Sequence, residues 1–338
     1  MKRTLFIVLS LVCPFISFTQ KRNTKQYHQS IQTAMDSAYH KYKSDQRGNN
    51  ADYIPALANV PSDLFGIVIV TVDGKVFSIG DVDYNLSIQS ISKVFTLALV
   101  IESRGEKIIR DSIGVNPTGQ VFNSIYPIEQ HQGKGINPFV NPGAIATTSL
   151  VQGENQDEIF NKVISNMEGF AGTELNVIPE IYESEANNNQ RNQAISMLLH
   201  SYDRIYNDPI EITDTYTKQC AVGVSTHNLG VMAATIANGG YNPITKNQVV
   251  SPKTSSHVMS VMTMAGLYNN AGNWLYLVGM PAKSGVGGAI ISVLPGKFGI
   301  AAFSPKLDSY GNSIRAQLAI FDIISTLQDH PYLVEPVK

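Results

Sequence analysis

The sequence contains few cysteines and few charged residues. Its 338 residues include two cysteines, so it is not a disulfide-rich scaffold, and its seven histidines are too scattered to suggest a metal enzyme. Charged side chains make up 15% of the chain, below the usual ~25%, and the formal net charge is -2. A nucleic-acid-binding protein needs a basic face, which this balance does not supply. We therefore expect no nucleic-acid partner, no metal and no cofactor.

The first residues have the pattern of a secretory signal. A basic pair, Lys2-Arg3, precedes a short apolar run that ends at Phe18, and small residues suit a cut before Gln20. A membrane anchor would need ~20 apolar residues, and no other run in the sequence reaches that length. The pattern predicts a signal peptide over residues 1–19, export to the periplasm and no membrane contact after cleavage. An uncleaved anchor and release into the medium stay open as alternatives.

The first part of the remaining chain changes from a helical to a strand-like pattern and back. Residues 20–51 predict an N-terminal helix that ends near residue 48. Residues 65–79 alternate between apolar and polar side chains and carry Asp73-Gly74, which is the pattern of a β-hairpin. Residues 91–102 have a helical period with one apolar stripe.

The middle of the chain is mostly helical in pattern, and strands return near the end. Residues 105–250 contain helical patterns that Gly, Pro and Asn interrupt. Strands are predicted at Leu275–Met280, Gly288–Leu294 and Phe298–Phe303, and a final helix at Ser313–Leu327.

These elements predict an α+β fold. Strands joined by tight turns are antiparallel, so the early hairpin and the three late strands are expected to form one five-stranded antiparallel sheet flanked by helices. The helical block would form a second, all-helical lobe. A cleft between two such lobes is where a binding site is expected.

Ser90 and Lys93 are the first candidates for chemistry. Lys93 is the only charged residue between Asp83 and Glu102, in a helix that is apolar nearly all round and therefore buried. Burial lowers the pKa of a lysine, which makes its amine usable as a base near neutral pH. Ser90 lies one helical turn earlier, where the free N–H groups of a helix start suit an oxyanion. The alternative is that Ser90 caps the helix and Lys93 reaches water.

A second candidate is the tripeptide Lys283-Ser-Gly. Lys283 is the only Lys, Arg, Asp or Glu between Lys253 and Lys297. A Ser-x-x-Lys pair and a late-strand Lys-Ser-Gly are two motifs of the serine β-lactamase and penicillin-binding group, in which that strand lines the site opposite the serine. Val286 would then offer its main-chain N–H as a second oxyanion donor. A glycine-rich bulge with an exposed lysine is the alternative.

The middle motif of that group is missing. No Ser-x-Asn occurs in the chain, and the Tyr-x-Asn variant at Tyr268 lies outside the predicted helical block. We therefore expect a substrate other than a β-lactam or a peptidoglycan peptide.

The whole pattern resembles the bacterial-type glutaminases, serine-dependent hydrolases with a β-lactamase-like fold that convert L-glutamine to L-glutamate and ammonia. The resemblance runs from about Asp52 to Leu327. It is carried by Tyr53-Ile54-Pro55, Val72-Asp73-Gly74, Gln89-Ser90-x-x-Lys93, Asn137-Pro138-x-x-Asn141, Ser184-Glu185, Arg191-Asn192, Ala233-Ala234-Thr235, the string 281–288 and Ser304-Pro305. Chance does not account for so many ordered matches.

The resemblance implies a role for each matching position. Ser90 would be the nucleophile and Lys93 the general base, Tyr216 would assist proton transfer in place of the missing motif, and the main chain of Val286 would complete the oxyanion hole. The residues that would hold L-glutamine are Tyr53, Gln89, Ser90, Asn141, Glu185, Asn192, Tyr216, Tyr268 and Val286. Glu185 can pair with the substrate ammonium, and amides and hydroxyls can bond its carboxylate and amide.

The resemblance also divides the chain and implies an assembly. The expected parts are an N-terminal helical extension (20–51), a glutaminase domain (52–328) made of an α/β lobe (about 52–105 and 255–328) and a helical lobe (about 106–254), and a C-terminal tail (329–338). Because the family generally forms dimers or tetramers, a homodimer or homotetramer is expected.

Two other functions stay open from the residues alone. One is a penicillin-recognising serine hydrolase or sensor with the same fold, which would be acylated by penicillin. The other is a protein that binds an amino acid without reacting with it, against which the presence of both Ser90 and Lys93 argues.

Overall fold

The structure is a computed structural model that describes residues 15–133, 136–334 and 336, with side chains described from residue 24 onward. The signal peptide is predicted at residues 1–19, and residues 1–14 lie outside the described residues. Its cleavage therefore stays a prediction. Within the described residues, no helix is both long enough and apolar enough to cross a membrane.

The elements follow the chain in an order that puts strands near both ends. The strands are β1 (Gly66–Thr71), β2 (Val76–Gly80), β3 (Leu86–Ser87), β4 (Gly223–Val224), β5 (Ala282–Gly285), β6 (Ala289–Leu294) and β7 (Phe298–Phe303). The helices are α1 (Phe15–Tyr42), α2 (Pro55–Ala58), α3 (Ser92–Arg104), α4 (Glu106–Ser112), α5 (Tyr126–Gln130), α6 (Asn141–Ser149), α7 (Gln156–Ala171), α8 (Pro179–Ala186), α9 (Gln190–Ser201), α10 (Pro209–Cys220), α11 (Thr226–Ala237), α12 (Pro252–Ala265), α13 (Ala271–Val278) and α14 (Ile314–Leu327). Two short 3₁₀ turns lie at Gln89–Ile91 and Tyr268–Asn270.

One five-stranded antiparallel sheet joins the two ends of the chain. Its strand order is β2-β1-β7-β6-β5. The predicted hairpin is confirmed, with Val70 opposite Val76 around the Asp73-Gly74 turn. Strand β1 also pairs along its whole length with β7, where Thr71 lies opposite Phe298. Every residue of β1, β6 and β7 is buried, as expected for strands covered on both faces. The predicted α+β architecture is therefore confirmed.

The strand predicted at Leu275–Met280 is wrong, because this segment forms helix α13. Trp274 and Val278, four residues apart, are buried on one face, and the Trp274 ring nitrogen donates to the Met280 carbonyl. Tyr276 and Leu277, which are consecutive, are both exposed. A short apolar run fits a helix as well as a strand, and here the burial has the helical period. The fifth strand is β5, which carries the Lys-Ser-Gly tripeptide and has no apolar run.

Helix α1 confirms the predicted N-terminal helix but ends at Tyr42, before the predicted end near residue 48. Its residues Ile31 and Met35 are fully buried in a core that α14 and the sheet share. The Tyr27 hydroxyl donates to the Asp329 carboxylate at 2.5 Å, which connects α1 to the chain after α14. The N-terminal extension is thus packed on the sheet-bearing part of the molecule.

Helix α11 lies against the middle of the sheet. A Cβ on Gly230 of α11 would come within 2.6 Å of the Val68 side chain, and a Cβ on Gly299 of β7 would come within 2.1 Å of the Ala234 main-chain nitrogen. Both positions must be glycine for this close contact. Although α11 lies within the range predicted for the helical lobe, it packs on β1, β6 and β7. The exact lobe boundaries stay predictions.

Candidate active site

Ser90 lies in the 3₁₀ turn that connects β3 to α3. Its neighbour Gln89 has a φ of 48°, a left-handed conformation that costs energy in a residue other than glycine. The end of β3, which leads into this turn, packs tightly against the chain that follows β5, because a Cβ on Gly287 would lie 2.7 Å from the Ser87 carbonyl oxygen. The glycines after Lys283 therefore allow two backbone segments to meet at the serine.

Lys93 is buried, with 1% of its surface exposed. Its amine donates to the side-chain oxygen of Asn141 at 2.7 Å and to the Phe139 carbonyl at 3.4 Å. Burial lowers the pKa of this amine to about 8. No hydrogen bond joins the side chains of Lys93 and Ser90 in the described part of the chain, so the role of Lys93 as general base, together with Tyr216, stays a prediction.

Asn141, the first residue of α6, connects several of the predicted site residues. Its side-chain oxygen accepts from the Lys93 amine and also from the Tyr216 hydroxyl, at 3.2 Å. Its side-chain nitrogen donates to the side-chain oxygen of Asn192 at 3.1 Å. Since the oxygen receives two donors, the amide orientation is determined, and the nitrogen is directed to α9.

Two tyrosine hydroxyls lie at the site in different environments. Tyr216 is buried on α10, and burial raises its pKa well above 10, so it stays protonated while it donates to Asn141. The Tyr268 hydroxyl faces the hydroxyls of Ser90 and Ser284 but has hydrogen-bond geometry with neither. It is buried and without a partner among the described residues. The role in proton transfer that the sequence assigned to Tyr216 stays a prediction, and the Tyr268 hydroxyl is a second candidate for it.

Lys283 lies beneath Tyr268 and is completely buried. Its amine donates to the Ser284 carbonyl at 2.7 Å and lies 4.2 Å from the centre of the Tyr268 ring. Burial, with repulsion from nearby Lys93, lowers its pKa well below the usual 10.5. The alternative that the sequence left open, an exposed lysine on a glycine-rich bulge, is therefore wrong.

Glu185, near the end of α8, supplies a carboxylate to the site. Its carboxylate accepts from the Gln89 side-chain nitrogen at 3.3 Å. The same nitrogen lies 3.3 Å from the Ser87 hydroxyl, so Gln89 holds Glu185 next to the turn that bears Ser90. Burial raises the pKa of Glu185 to about 7, although the Gln89 hydrogen bond and the Lys93 charge oppose the rise.

All nine residues predicted to hold the ligand line one cavity of about 250 Å³. Ligand pockets usually measure ~300–1,000 Å³, so this one suits a molecule of amino-acid size. The nine are Tyr53, Gln89, Ser90, Asn141, Glu185, Asn192, Tyr216, Tyr268 and Val286. Lys93, whose amine donates to Asn141, does not line the cavity. Residues from both ends and the middle of the chain thus meet in one place.

The cavity is also lined by seven residues that the sequence did not assign to the site. They are Ile54, Phe122, Asn123, Asn188, Asn189, Arg191 and Cys220. Cys220 follows Tyr216 by four residues on α10, so helical spacing could have found it. Phe122 and Asn123 lie in a loop, and no local pattern predicts where such a loop packs. Among the residues that the structure describes, no group of three or more His, Cys, Asp or Glu side chains could hold a metal ion.

The chain was compared with protein-family models, curated proteins and solved structures. The glutaminase family model matches residues 48–332. The chain belongs to the glutaminase family. A glutaminase from Colwellia psychrerythraea is 52% identical over 290 residues, which cover 86% of this chain and 93% of that protein. A glutaminase from Mycobacterium ulcerans is 49% identical over 298 residues, 88% of this chain and 93% of that protein.

Solved structures agree with the family. A structure named probable glutaminase ybaS superposes with a TM-score of 0.88 at 44% identity and covers 90% of this chain and 98% of its own. The crystal structure of Mglu in its glutamate form superposes with a TM-score of 0.84 at 36% identity, covering 89% of this chain and 69% of its own. The protein is accordingly a glutaminase, a hydrolase that acts on amides, and its fold is that of glutaminases of the serine-dependent, β-lactamase-like type. The penicillin-recognising alternative is not favoured.

Proposed function

We propose that this glutaminase hydrolyses the side-chain amide of L-glutamine through an acyl-enzyme on Ser90. One observation carries the proposal: nine residues from separate parts of the chain, Ser90 among them, line one cavity of amino-acid size. Supporting it, the relative Mglu has a crystal structure in its glutamate form. Glutamate is the product that the reaction would leave in the cavity.

The cavity offers partners for each polar group of glutamine. The Glu185 carboxylate would pair with the substrate ammonium, and the ion pair would lower the raised pKa of Glu185. Asn192 and the Tyr53 hydroxyl would bond the α-carboxylate. Fixing both charged ends would align the side-chain amide with Ser90 before reaction, and such alignment is a large part of catalysis.

The reaction would proceed in two steps. The Ser90 oxygen would attack the amide carbon while its proton is taken up by neutral Lys93, and the N–H groups of Ser90 and Val286 would bond the oxyanion. The C–N bond would then break as the departing nitrogen gains that proton and leaves as ammonia. Water would attack the remaining ester, release glutamate and return a proton to Ser90.

The hydrogen bonds of the site suggest how the proton would move. The Tyr268 hydroxyl lies near Ser90, so it would relay the Ser90 proton to the Lys93 amine, from which the leaving nitrogen gains it. Tyr216 donates to Asn141 and would orient it. A substrate N–H that takes the Asn141 oxygen would free the Lys93 amine to accept the Ser90 proton, because catalytic hydrogen bonds often form only with substrate present.

Replacement of the nucleophile tests the proposal. We expect Ser90→Ala to release no ammonia from glutamine above background while its thermal unfolding matches the parent. Ser260→Ala, an exposed serine on α12, is the matched control and should keep full activity. Asparagine and a chromogenic cephalosporin are assayed in parallel. Wild-type turnover by Ser90→Ala would contradict the mechanism. Turnover of the cephalosporin would support a penicillin-recognising hydrolase, and glutamine that is bound but unchanged would support a protein that only binds an amino acid.

We also propose export to the periplasm and assembly into a homodimer or homotetramer. Export is supported by the basic start and the short apolar run of residues 1–19. Fractionation of cells, with sequencing of the N-terminus of the mature protein, tests export and the predicted cut before Gln20. Light scattering on the purified enzyme tests the assembly, and a monomer would contradict it.

A further inference from the structure

Arg191 lines the substrate cavity and is the only Lys or Arg among the cavity's described lining residues. It belongs to the first turn of α9, directly before Asn192. Its Nε and Nη2 atoms both donate to the Asn123 carbonyl, at 3.3 Å and 3.1 Å. Two donors that converge on one oxygen fix the plane of a guanidinium. No hydrogen bond from Nη1 occurs within the described part of the chain, so that end has N–H groups to offer.

The loop that Arg191 holds is part of the same cavity wall. The Phe122 carbonyl accepts from the Asn141 main-chain nitrogen at 2.8 Å, and the Phe122 ring lies 5.3 Å from the Tyr268 ring. Phe122 and Asn123 are therefore held by groups that themselves line the cavity. The position of the Arg191 guanidinium is defined relative to these groups.

The residues assigned so far give the α-carboxylate of the substrate no partner of opposite charge. A free amino acid brings an ammonium and a carboxylate, and Glu185 supplies a charge only for the ammonium. Neither Lys93 nor Lys283 lines the cavity, and their amines donate to Asn141 and to the Ser284 carbonyl. Asn192 and Tyr53 are neutral. Arg191 is thus the one described lining residue whose charge complements a carboxylate, and its planar fork suits that group.

We propose that Arg191 determines the specificity of the site for a free α-carboxylate. This proposal rests on the glutamine site proposed above and adds which end of the substrate the enzyme selects by charge. It predicts discrimination against substrates whose α-carboxyl group is neutral, such as glutamine α-amide or a glutamine residue inside a peptide. Loss of one hydrogen bond to a charged group typically costs about tenfold or more in kcat/KM.

Paired substrates test the proposal. Glutamine and glutamine α-amide are assayed with the parent enzyme, Arg191→Met and Arg191→Lys, and formation of glutamate or isoglutamine identifies hydrolysis of the side-chain amide. We expect Arg191→Met to lose about tenfold in kcat/KM for glutamine and much less for the α-amide. Arg191→Lys, which keeps the charge but not the planar fork, should keep part of the preference. Arg110→Met, an exposed arginine on α4, is the control and should change neither substrate.

The ratio of the two substrates separates charge recognition from a merely structural role. If Arg191 only holds the Asn123 loop, Arg191→Met lowers both activities alike and the preference is unchanged, which overturns the proposal. Salt gives a second measurement, because screening should weaken the preference of the parent enzyme but not that of Arg191→Met. Parent enzyme that releases no ammonia from glutamine would refute the proposed function itself, which is a different outcome.

Discussion

The amine of Lys93 donates a 2.7 Å hydrogen bond to the side-chain oxygen of Asn141. This partner is neutral, so it does not offset the cost of burying an ammonium as a carboxylate would. Burial therefore dominates and lowers the pKa of the amine to about 8. Lys93 can lose its proton at mildly alkaline pH, and only the neutral amine can act as a base.

The first prediction concerns the dependence of kcat/KM on pH. Activity should rise with pH in two steps, near 7 as Glu185 loses its proton and can bind the substrate ammonium, and near 8 as Lys93 becomes neutral. Ammonia release measured at constant ionic strength between about pH 6 and 9 reports these groups in the free enzyme. Glu185→Gln should remove the lower step and keep the upper one. A profile that is flat over this range would contradict the assignment.

The second prediction places a charge next to Lys93. Asn141→Asp should raise the pKa of the amine by ~1–3, because a nearby carboxylate favours the ammonium form. The acid side of the kcat/KM profile should move to higher pH by the same amount. Asn192→Asp is the matched variant, since its carboxylate would not contact Lys93 directly, and its shift should be smaller. An unshifted profile in Asn141→Asp would argue against Lys93 as the base.

The hairpin and the helices near residues 20–48, 91–102 and 313–327 could be predicted because their signals are local. Asp73-Gly74 between two alternating runs predicts the hairpin without reference to the rest of the chain. The error at Leu275–Met280 arose because a short apolar run has no period of its own. Strand β5 lacked a strand signal because Ala282–Gly285 contains no β-branched or aromatic residue. All four of its residues are buried, and most of them are small.

Membership of the site could be predicted from the resemblance, whereas its contacts could not. The bond between Lys93 and Asn141 joins residues 48 positions apart, and only the packing of α3 against α6 creates it. Which of the two tyrosines faces Ser90 depends on the 3₁₀ turn at Tyr268 and its φ of 53°. A sequence pattern carries no information on either relationship.

The third prediction distinguishes the two tyrosines. Tyr268→Phe should lower kcat by ~10²–10⁴, the usual contribution of general acid–base catalysis. It should not destabilise the fold, because the removed hydroxyl has no hydrogen-bond partner among the described residues. Tyr216→Phe removes the hydrogen bond to Asn141 and should lower the free energy of unfolding by ~1 kcal/mol, with a smaller loss of kcat. Chemical denaturation and steady-state kinetics measure both effects, and the reverse order of the kcat losses would make Tyr216 the relay.

The last prediction concerns the glycine that lets the chain after β5 meet the turn of Ser90. A Cβ on Gly287 would lie 2.7 Å from the Ser87 carbonyl oxygen, so Gly287→Ala must push apart the segment that leads to Gln89 and Ser90 and the segment that carries Val286. A misplacement of about 1 Å can cost ~10²-fold in rate, and overpacking costs ~1–3 kcal/mol of stability.

Gly272→Ala on α13 is the control, because a Cβ there meets nothing within 4 Å, and alanine should stabilise the helix by ~0.5–1 kcal/mol. Because Gly287 itself donates no side chain to the substrate, a large fall in kcat for Gly287→Ala beside an unchanged Gly272→Ala would mean that the reaction depends on how closely these two backbone segments approach. Equal activity in the two variants would mean that the turn tolerates movement and that the position of Ser90 is set from α3 alone.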